Sequence, residues 1–282
     1  MPVAAGTLFV VGGAEDRVGE RVVLREFVGL AGGAGARIAV VATASSLGPE
    51  ILEAYDDAFR ALGAAATVPL RPHSRDEADD PALSEALADV DAIFMTGGNQ
   101  LILAAVIAGT RFGAAIRAAY ERGAVVGGTS AGASAVSEHM VAFGDEGDTP
   151  RQGTAGLAAG LGLLSGVVID QHFDQRTRYG RLLSLIARSP SLLGVGIDED
   201  TAAVISGERM LEVVGSGCVF IADGTSVVTD APLVELGAPL LVSGAIVHTL
   251  PAGARFDLAE RRLVSFEEHN PARIGHDPEE NQ

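Results

Sequence analysis

The chain has 282 residues, 48% of them hydrophobic, and a formal net charge of −17. All 20 basic residues are arginine, which excludes a phosphate-loop lysine, a pyridoxal Schiff base and a serine–lysine dyad. The acidity argues against general nucleic-acid binding, which needs a basic surface, and the single cysteine, Cys218, excludes an intramolecular disulfide and a cysteine-rich metal site.

In chain order, the first residues lack a basic n-region and lead straight into a strand-like run over 7–11, so neither a signal peptide nor a membrane span is expected and the default location is the cytoplasm. Further strands are expected over 37–42, 65–70, 92–95, 124–127, 167–169 and 202–205. Helical patterns fall between them, over 17–30, 50–62, 81–88, 101–108, 111–122 and 176–188. This alternation implies an α/β fold, a doubly wound and mostly parallel sheet with helices on both faces, spanning 1–206. From Gly207 onward, hairpin-like pieces separated by Gly, Pro and Asp predict a β-rich extension of the same domain over 207–266. Residues 267–282 are polar and read as a tail, and the charged stretch 74–80 as a solvated loop. Gly32-Gly33-Ala34-Gly35 precedes a strand, whereas a dinucleotide fingerprint follows one. Cys218 lies in a small-residue, strand-like stretch and is expected to be a packing cysteine.

Ligands of parallel sheets collect at the carboxyl ends of the strands. Here those ends read Gly12-Gly13-Ala14-Glu15-Asp16, Thr43-Ala44-Ser45-Ser46, Thr96-Gly97-Gly98-Asn99-Gln100 and Gly128-Thr129-Ser130. Glycine and small polar residues recur at each, which exposes backbone N–H groups to a ligand. The last of them continues as Gly128-Thr129-Ser130-Ala131-Gly132 after the apolar Ala124-Val125-Val126. It reads as a strand turning sharply into a helix with a serine at the apex. Gly128 would permit the tight turn and Gly132 the close packing of the helix.

A nucleophilic serine needs a base, and the base an orienting group. Of six histidines, His73, His269 and His276 lie in polar surroundings, His248 sits within a strand-like run, and His139 follows the helix that Ser130 begins. His172 ends the apolar run Val167-Val168-Ile169-Asp170-Gln171, which places it on the rim where Ser130 sits, as a base or as the cap of the next helix. Further on, Asp198-Glu199-Asp200 interrupt another strand-like run, either as a source of an orienting carboxylate or as an acidic turn. Asp170 and His172 have too few further ligands nearby for a metal site.

The blocks Gly12 to Asp16, Thr96 to Gln100, Gly128 to Ala133, Asp170 to Phe173, Arg176 through Leu183 and Gly196 to Ala202 together resemble the cyanophycinase family. These are serine exopeptidases related to the aspartyl dipeptidases and, in fold, to the flavodoxin-like class I glutamine amidotransferases. The resemblance implies Ser130 as nucleophile, His172 as base and Glu199 as orienting carboxylate, with the N–H groups of Gly98 and Ala131 as oxyanion hole. Gln100 would line the pocket, and Asp170, Gln171, Arg176, Arg178 and Arg181 match positions that surround the substrate. That substrate would be cyanophycin, a polyaspartate with arginine joined to each β-carboxyl, released as β-Asp-Arg. A carboxylate such as Asp170 would meet the guanidinium, and one or two of Arg176, Arg178 and Arg181 the free carboxylates. Arg176 and Arg178 would not share one helix face. The family also implies a homodimer, with neither cofactor nor metal. Ala14 stands where a third glycine is expected, and Asp174 and Thr177 where smaller or less acidic residues are. These departures bear on substrate detail and leave the three proposed catalytic residues in place. A short aspartyl peptide as substrate, or a catalytically idle peptide binder, are the competing expectations; serine in place of cysteine argues against an amidotransferase.

Overall fold

Strand β1 (Thr7–Val11) is the hub of the computed structural model, which describes residues 6–266. Its residues Leu8 to Val11 are completely buried, as expected of a strand covered on both faces. Four more strands run parallel with it: β2 (Arg37–Val41), β3 (Ala66–Leu70), β4 (Ala92–Met95) and β5 (Val125–Thr129), in the order β1-β5-β4-β2-β3. Helices α1 (Val22–Leu30), α2 (Glu50–Ala61), α3 (Arg75–Ala78), α4 (Pro81–Glu85), α5 (Gln100–Ile107) and α6 (Arg111–Glu121) lie between these strands. The protein is thus α/β with a parallel sheet at its centre. The chain reverses direction across the sheet between β2 and β4, and the loops that follow these two strands face one another. The Asn99 N–H donates to the Ala44 carbonyl at 2.9 Å and binds the two loops together.

Beyond β5 come α7 (Ala131–Ala135), the hairpin β6 (His139–Gly144) and β7 (Ala155–Ala159), then β8 (Val167–Gln171), α8 (Tyr179–Arg188) and β9 (Leu193–Ile197). Strand β8 does not join the central sheet. It pairs in parallel with β9 in a second sheet, which β12 (Cys218–Asp223) and residues Ile246–Pro251 complete. The central sheet instead continues from β1 through β10 (Thr201–Ser206) and β11 (Met210–Gly215), both antiparallel, to two strands at Ala254–Asp257 and Arg262–Phe266. The β-rich C-terminal part therefore extends both sheets. The chain crosses from the second sheet to the first in the three residues Asp198, Glu199 and Asp200.

Several boundaries differ from the sequence expectation for identifiable reasons. The helix expected from residue 17 begins at Val22, because the Asp16 carboxylate accepts the N–H groups of Val18, Gly19 and Arg21 and holds that stretch as a loop. Residues 74–80 contain the short helix α3, capped by the Ser74 hydroxyl. His139 opens strand β6 and does not end a helix. Residues 267–282, expected to be a tail, lie outside the described residues.

One face of the central sheet is packed by aromatic rings. Phe9, Phe27, Phe59, Phe94 and Tyr55 contact one another with centroids 5.1 to 5.8 Å apart. Such offset and edge-on pairs add about 0.5–1.5 kcal/mol each to the burial of their area. Tyr55 is the polar member of this cluster, and its hydroxyl reaches the carboxyl end of the sheet.

Candidate active site

Ser130 sits where β5 turns into α7, with φ 53° and ψ −108°, a conformation that costs a side chain of this kind about 1–3 kcal/mol. The strain is held by packing. A Cβ placed on Gly128 or Gly132 would strike the Met95 carbonyl of β4, so both positions must be glycine for strand and helix to close on that backbone. Gly128 is thus needed for close approach within the strand, not for the turn itself.

His172 follows the last residue of β8 and is itself left-handed, at φ 48°. Its N–H donates to the Gly12 carbonyl at 2.7 Å, which ties the second sheet to the end of β1. Its Nε2 lies 3.0 Å from the Ser130 Oγ and its Nδ1 2.6 Å from Glu199 Oε1. Glu199, from the crossing turn, is held in turn by its own N–H donating to Gln175 Oε1 at 2.9 Å. A proton on Nδ1 directed at the carboxylate leaves Nε2 free to accept from the serine. Burial holds the imidazole below its ordinary pKa; Arg176 and Arg178 push the same way and Glu199 opposes them. A neutral imidazole at neutral pH follows.

The Gly97–Gly98 loop lies against the serine: a Cβ on Gly97 would come within 3.4 Å of the Ser130 Cβ. Gly98 has φ 141°, and its N–H, like that of Ala131 at the start of α7, has no protein acceptor among the described residues. Together with Ser130 and His172, these loops bound a pocket of about 290 Å³. Its walls include Glu15, Arg17, Ser45, Leu47, Ile51, Tyr55 and Thr129.

Of the remaining expected site residues, Asp170, Gln171, Arg178 and Arg181 form a buried group behind the serine. Arg176 and Arg178 precede α8, which starts at Tyr179, so the argument from a shared helix face does not apply to them. Arg178 and Arg181 are buried and turned inward. Arg181 grips Asp170 through Nε, at 2.6 Å, and Nη2, and donates from Nη1 to the Gly144 carbonyl. Arg178 donates to the Gln171 carbonyl, to Gln171 Oε1 at 2.9 Å and, at 3.4 Å, to Asp170. Burial pulls the Arg178 pKa down to about 10, against the pull of Asp170. Asp170, fully buried, is therefore engaged by the chain's own arginines and offers no free face to a substrate guanidinium. Gln171 Oε1 also lies 3.4 Å from the Ser130 Oγ, so it connects this network to the serine. Gln100 donates to the Val141 carbonyl of β6 at 3.0 Å, and its amide is committed there. Arg176 differs from the other two arginines: it is exposed, without an ion-pair partner among the described residues, and close enough to lower the His172 pKa.

Sequence reasoning missed Gly13, Glu15 and Tyr55. Glu15 is buried; it accepts from the Tyr55 hydroxyl at Oε1 and from Thr129 Oγ1 at Oε2. Burial, then the neighbouring carboxylate, pushes the Tyr55 hydroxyl well above its ordinary pKa. A charged residue in a glycine-rich loop reads as exposed; the one available signal was its place in the first strand-end block. Cys218 is half-buried, and burial with Asp198 and Asp174 nearby raises its thiol pKa, so it is poorly suited to nucleophilic work. Among the described residues no three His, Cys, Asp or Glu side chains cluster as a metal site would require, and no single helix is long and apolar enough to cross a membrane.

The model of peptidase family S51 matches residues 8–213. The chain is 39% identical over 259 residues to the cyanophycinase of Nostoc sp., covering 91% of this chain and 87% of that protein. It is 38% identical over 253 residues to the cyanophycinase of Geminocystis herdmanii, covering 89% and 93%. In structure it resembles a peptidase from an acI-B1 Actinobacterium, with a TM-score of 0.62 and 23% identity over 87% of this chain and 98% of that one. It also resembles a putative peptidase E protein from Listeria monocytogenes, with a TM-score of 0.51 and 20% identity over 76% and 98%. Most of the chain lies within the family model and nearly all of it aligns with the cyanophycinases, so the chain belongs to peptidase family S51 and is a serine-type peptidase.

Proposed function

We propose that the protein degrades cyanophycin, releasing β-Asp-Arg through an acyl-enzyme on Ser130. The observation that supports this most is the unbroken chain Ser130 Oγ–His172–Glu199, at 3.0 and 2.6 Å, on the rim of a pocket lined by Gly98, whose N–H, like that of Ala131, has no protein acceptor among the described residues. Ser130 attacks the main-chain carbonyl of an aspartate while His172 Nε2 takes the hydroxyl proton. Glu199 stabilises the imidazolium that forms, and the N–H groups of Gly98 and Ala131 receive the developing oxyanion. His172 then protonates the leaving amine, and water attacks the ester by the reverse proton path.

Gln171, Arg178, Asp170 and Arg181 act in this reading behind the nucleophile, holding Gln171 against Ser130. Gln100 fixes β6 beside the site. Arg176 is the guanidinium offered to a substrate carboxylate. The strand order supports a class I glutamine amidotransferase-like fold: β3-β2-β4-β5 repeat the first four places of the flavodoxin order, and β1 takes the fifth. We extend the proposal to a cytoplasmic homodimer, for which sedimentation of the purified protein and fractionation of cells are the checks.

The test is product analysis on purified cyanophycin. The wild type is expected to release β-Asp-Arg, and Ser130→Ala to lose roughly 10⁴- to 10⁶-fold in rate. Release of the dipeptide by Ser130→Ala at an undiminished rate would reject the mechanism, and cleavage of short aspartyl peptides with none of the polymer would reject the substrate.

A further inference from the structure

We propose that Glu15 is the specificity-determining residue of the pocket beside Ser130, where its carboxylate takes the guanidinium of a bound arginine. The inference builds on the cyanophycin reading and names the group that selects the substrate within the same site.

Glu15 is only 6% exposed, yet none of the ion pairs among the described residues includes it. Its two partners, the hydroxyls of Tyr55 and Thr129, are neutral donors, one on each oxygen. A buried carboxylate is stable when a countercharge joins its hydrogen bonds. Each oxygen retains a further acceptor direction, and the residue borders the pocket. Asp170, the carboxylate that the sequence offered for this role, is gripped by Arg181 and Arg178 instead. Glu15 is thus the buried carboxylate of the site that lacks a cation.

The surroundings fit a guanidinium on an aliphatic stem. Thr129 directly precedes Ser130, so the carboxylate and the nucleophile share one pocket. Leu47 and Ile51 supply an apolar wall, with Leu47 52% exposed. Tyr55 cannot swing aside, because Phe59 and Phe94 pack on its ring at 5.8 and 5.1 Å. Arg17, the cation nearest to hand, is held out over the Tyr55 ring, 5.5 Å from its centroid, at the exposed rim. There it faces the carboxylate end of an arginine whose guanidinium lies on Glu15. A bidentate carboxylate–guanidinium contact supplies both charge and orientation.

The test compares Nα-acetyl-L-arginine with Nα-acetyl-L-citrulline, which has the same shape and no side-chain charge, by titration calorimetry. The wild type is expected to bind the arginine derivative at least 10-fold more tightly, and Glu15→Gln to bring the two within about twofold. Equal binding of both by the wild type, or an undiminished preference in Glu15→Gln, would overturn the proposal. Should Glu15→Gln lose its thermal unfolding transition, Glu15→Asp serves in its place: it keeps the charge and is expected to retain an arginine preference at weaker affinity, and a folded Glu15→Asp without preference overturns the proposal as well. Neither ligand contains the peptide bond to be cleaved. An arginine preference in a protein that releases no β-Asp-Arg from the polymer would therefore sink the substrate reading while leaving the role of Glu15 standing.

Discussion

His172 Nε2 lies 3.0 Å from the Ser130 Oγ although the two residues are carried by different sheets. Ser130 follows the last residue of β5 of the central sheet, and His172 follows the last residue of β8 of the second. Their approach depends on the loop after β1, whose Gly12 carbonyl accepts the His172 N–H and whose Gly13 carbonyl accepts the Asp200 N–H.

The first prediction concerns that loop. A Cβ on Gly13, at φ 108°, would occupy the space of the His172 imidazole. Gly13→Ala is expected to displace the ring and lower kcat by about 100-fold, since misplacement by about 1 Å costs that much. Far-ultraviolet circular dichroism should stay unchanged. An active Gly13→Ala would mean that the ring does not need its observed position.

A second prediction is the pH profile. Burial lowers the His172 pKa from 6.5, and catalysis needs the neutral ring. Activity is therefore expected to hold as pH falls through 6.5 and to decline only below it, with the acid limb of kcat/KM centred under that value. Raising ionic strength screens Arg176, which pushes the pKa down, so the limb should move up. A limb above 6.5 would contradict the burial argument.

Glu199→Gln gives a third. Loss of the carboxylate removes the group that raises the His172 pKa and fixes its tautomer. Its side chain is 36% exposed, so solvent replaces part of its stabilisation. We expect kcat to fall by about 10²–10⁴, at the lower side of an enclosed orienting acid, with the acid limb displaced downward. Unchanged kcat would assign Glu199 a structural role.

The buried network makes a prediction about stability. Asp170 serves two buried guanidiniums, so Asp170→Asn leaves both without their countercharge, at a cost of about 3–5 kcal/mol. Arg181→Met leaves Asp170 with Arg178 and should cost less. Urea unfolding of the two variants checks the order, and the reverse order would place the strength of the network elsewhere.

Much of the central sheet was legible, because a buried run such as Leu8 to Val11 is apolar without interruption and is followed by glycine. The turn at Ser130 was legible from its glycines, and the strand before His172 from the apolar run Val167-Val168-Ile169. What the pattern did not carry was partnership. The run from Val167 to Gln171 reads as a strand but says nothing about which sheet it joins, since pairing is settled by contacts far apart in the chain. Polarity misled in the same way. Asp170, Arg178 and Arg181 carry charges that read as facing water or substrate, whereas mutual neutralisation lets all three be buried. Glu15 was hidden by its company of glycines.

The crossing turn that bears Glu199 has one more consequence, for the timing of biogenesis. The polypeptide emerges from the ribosome with Ser130 and His172 before Glu199, the residue that meets the imidazole at Nδ1. A nascent chain that ends before Asp198 therefore lacks the carboxylate that meets the His172 ring.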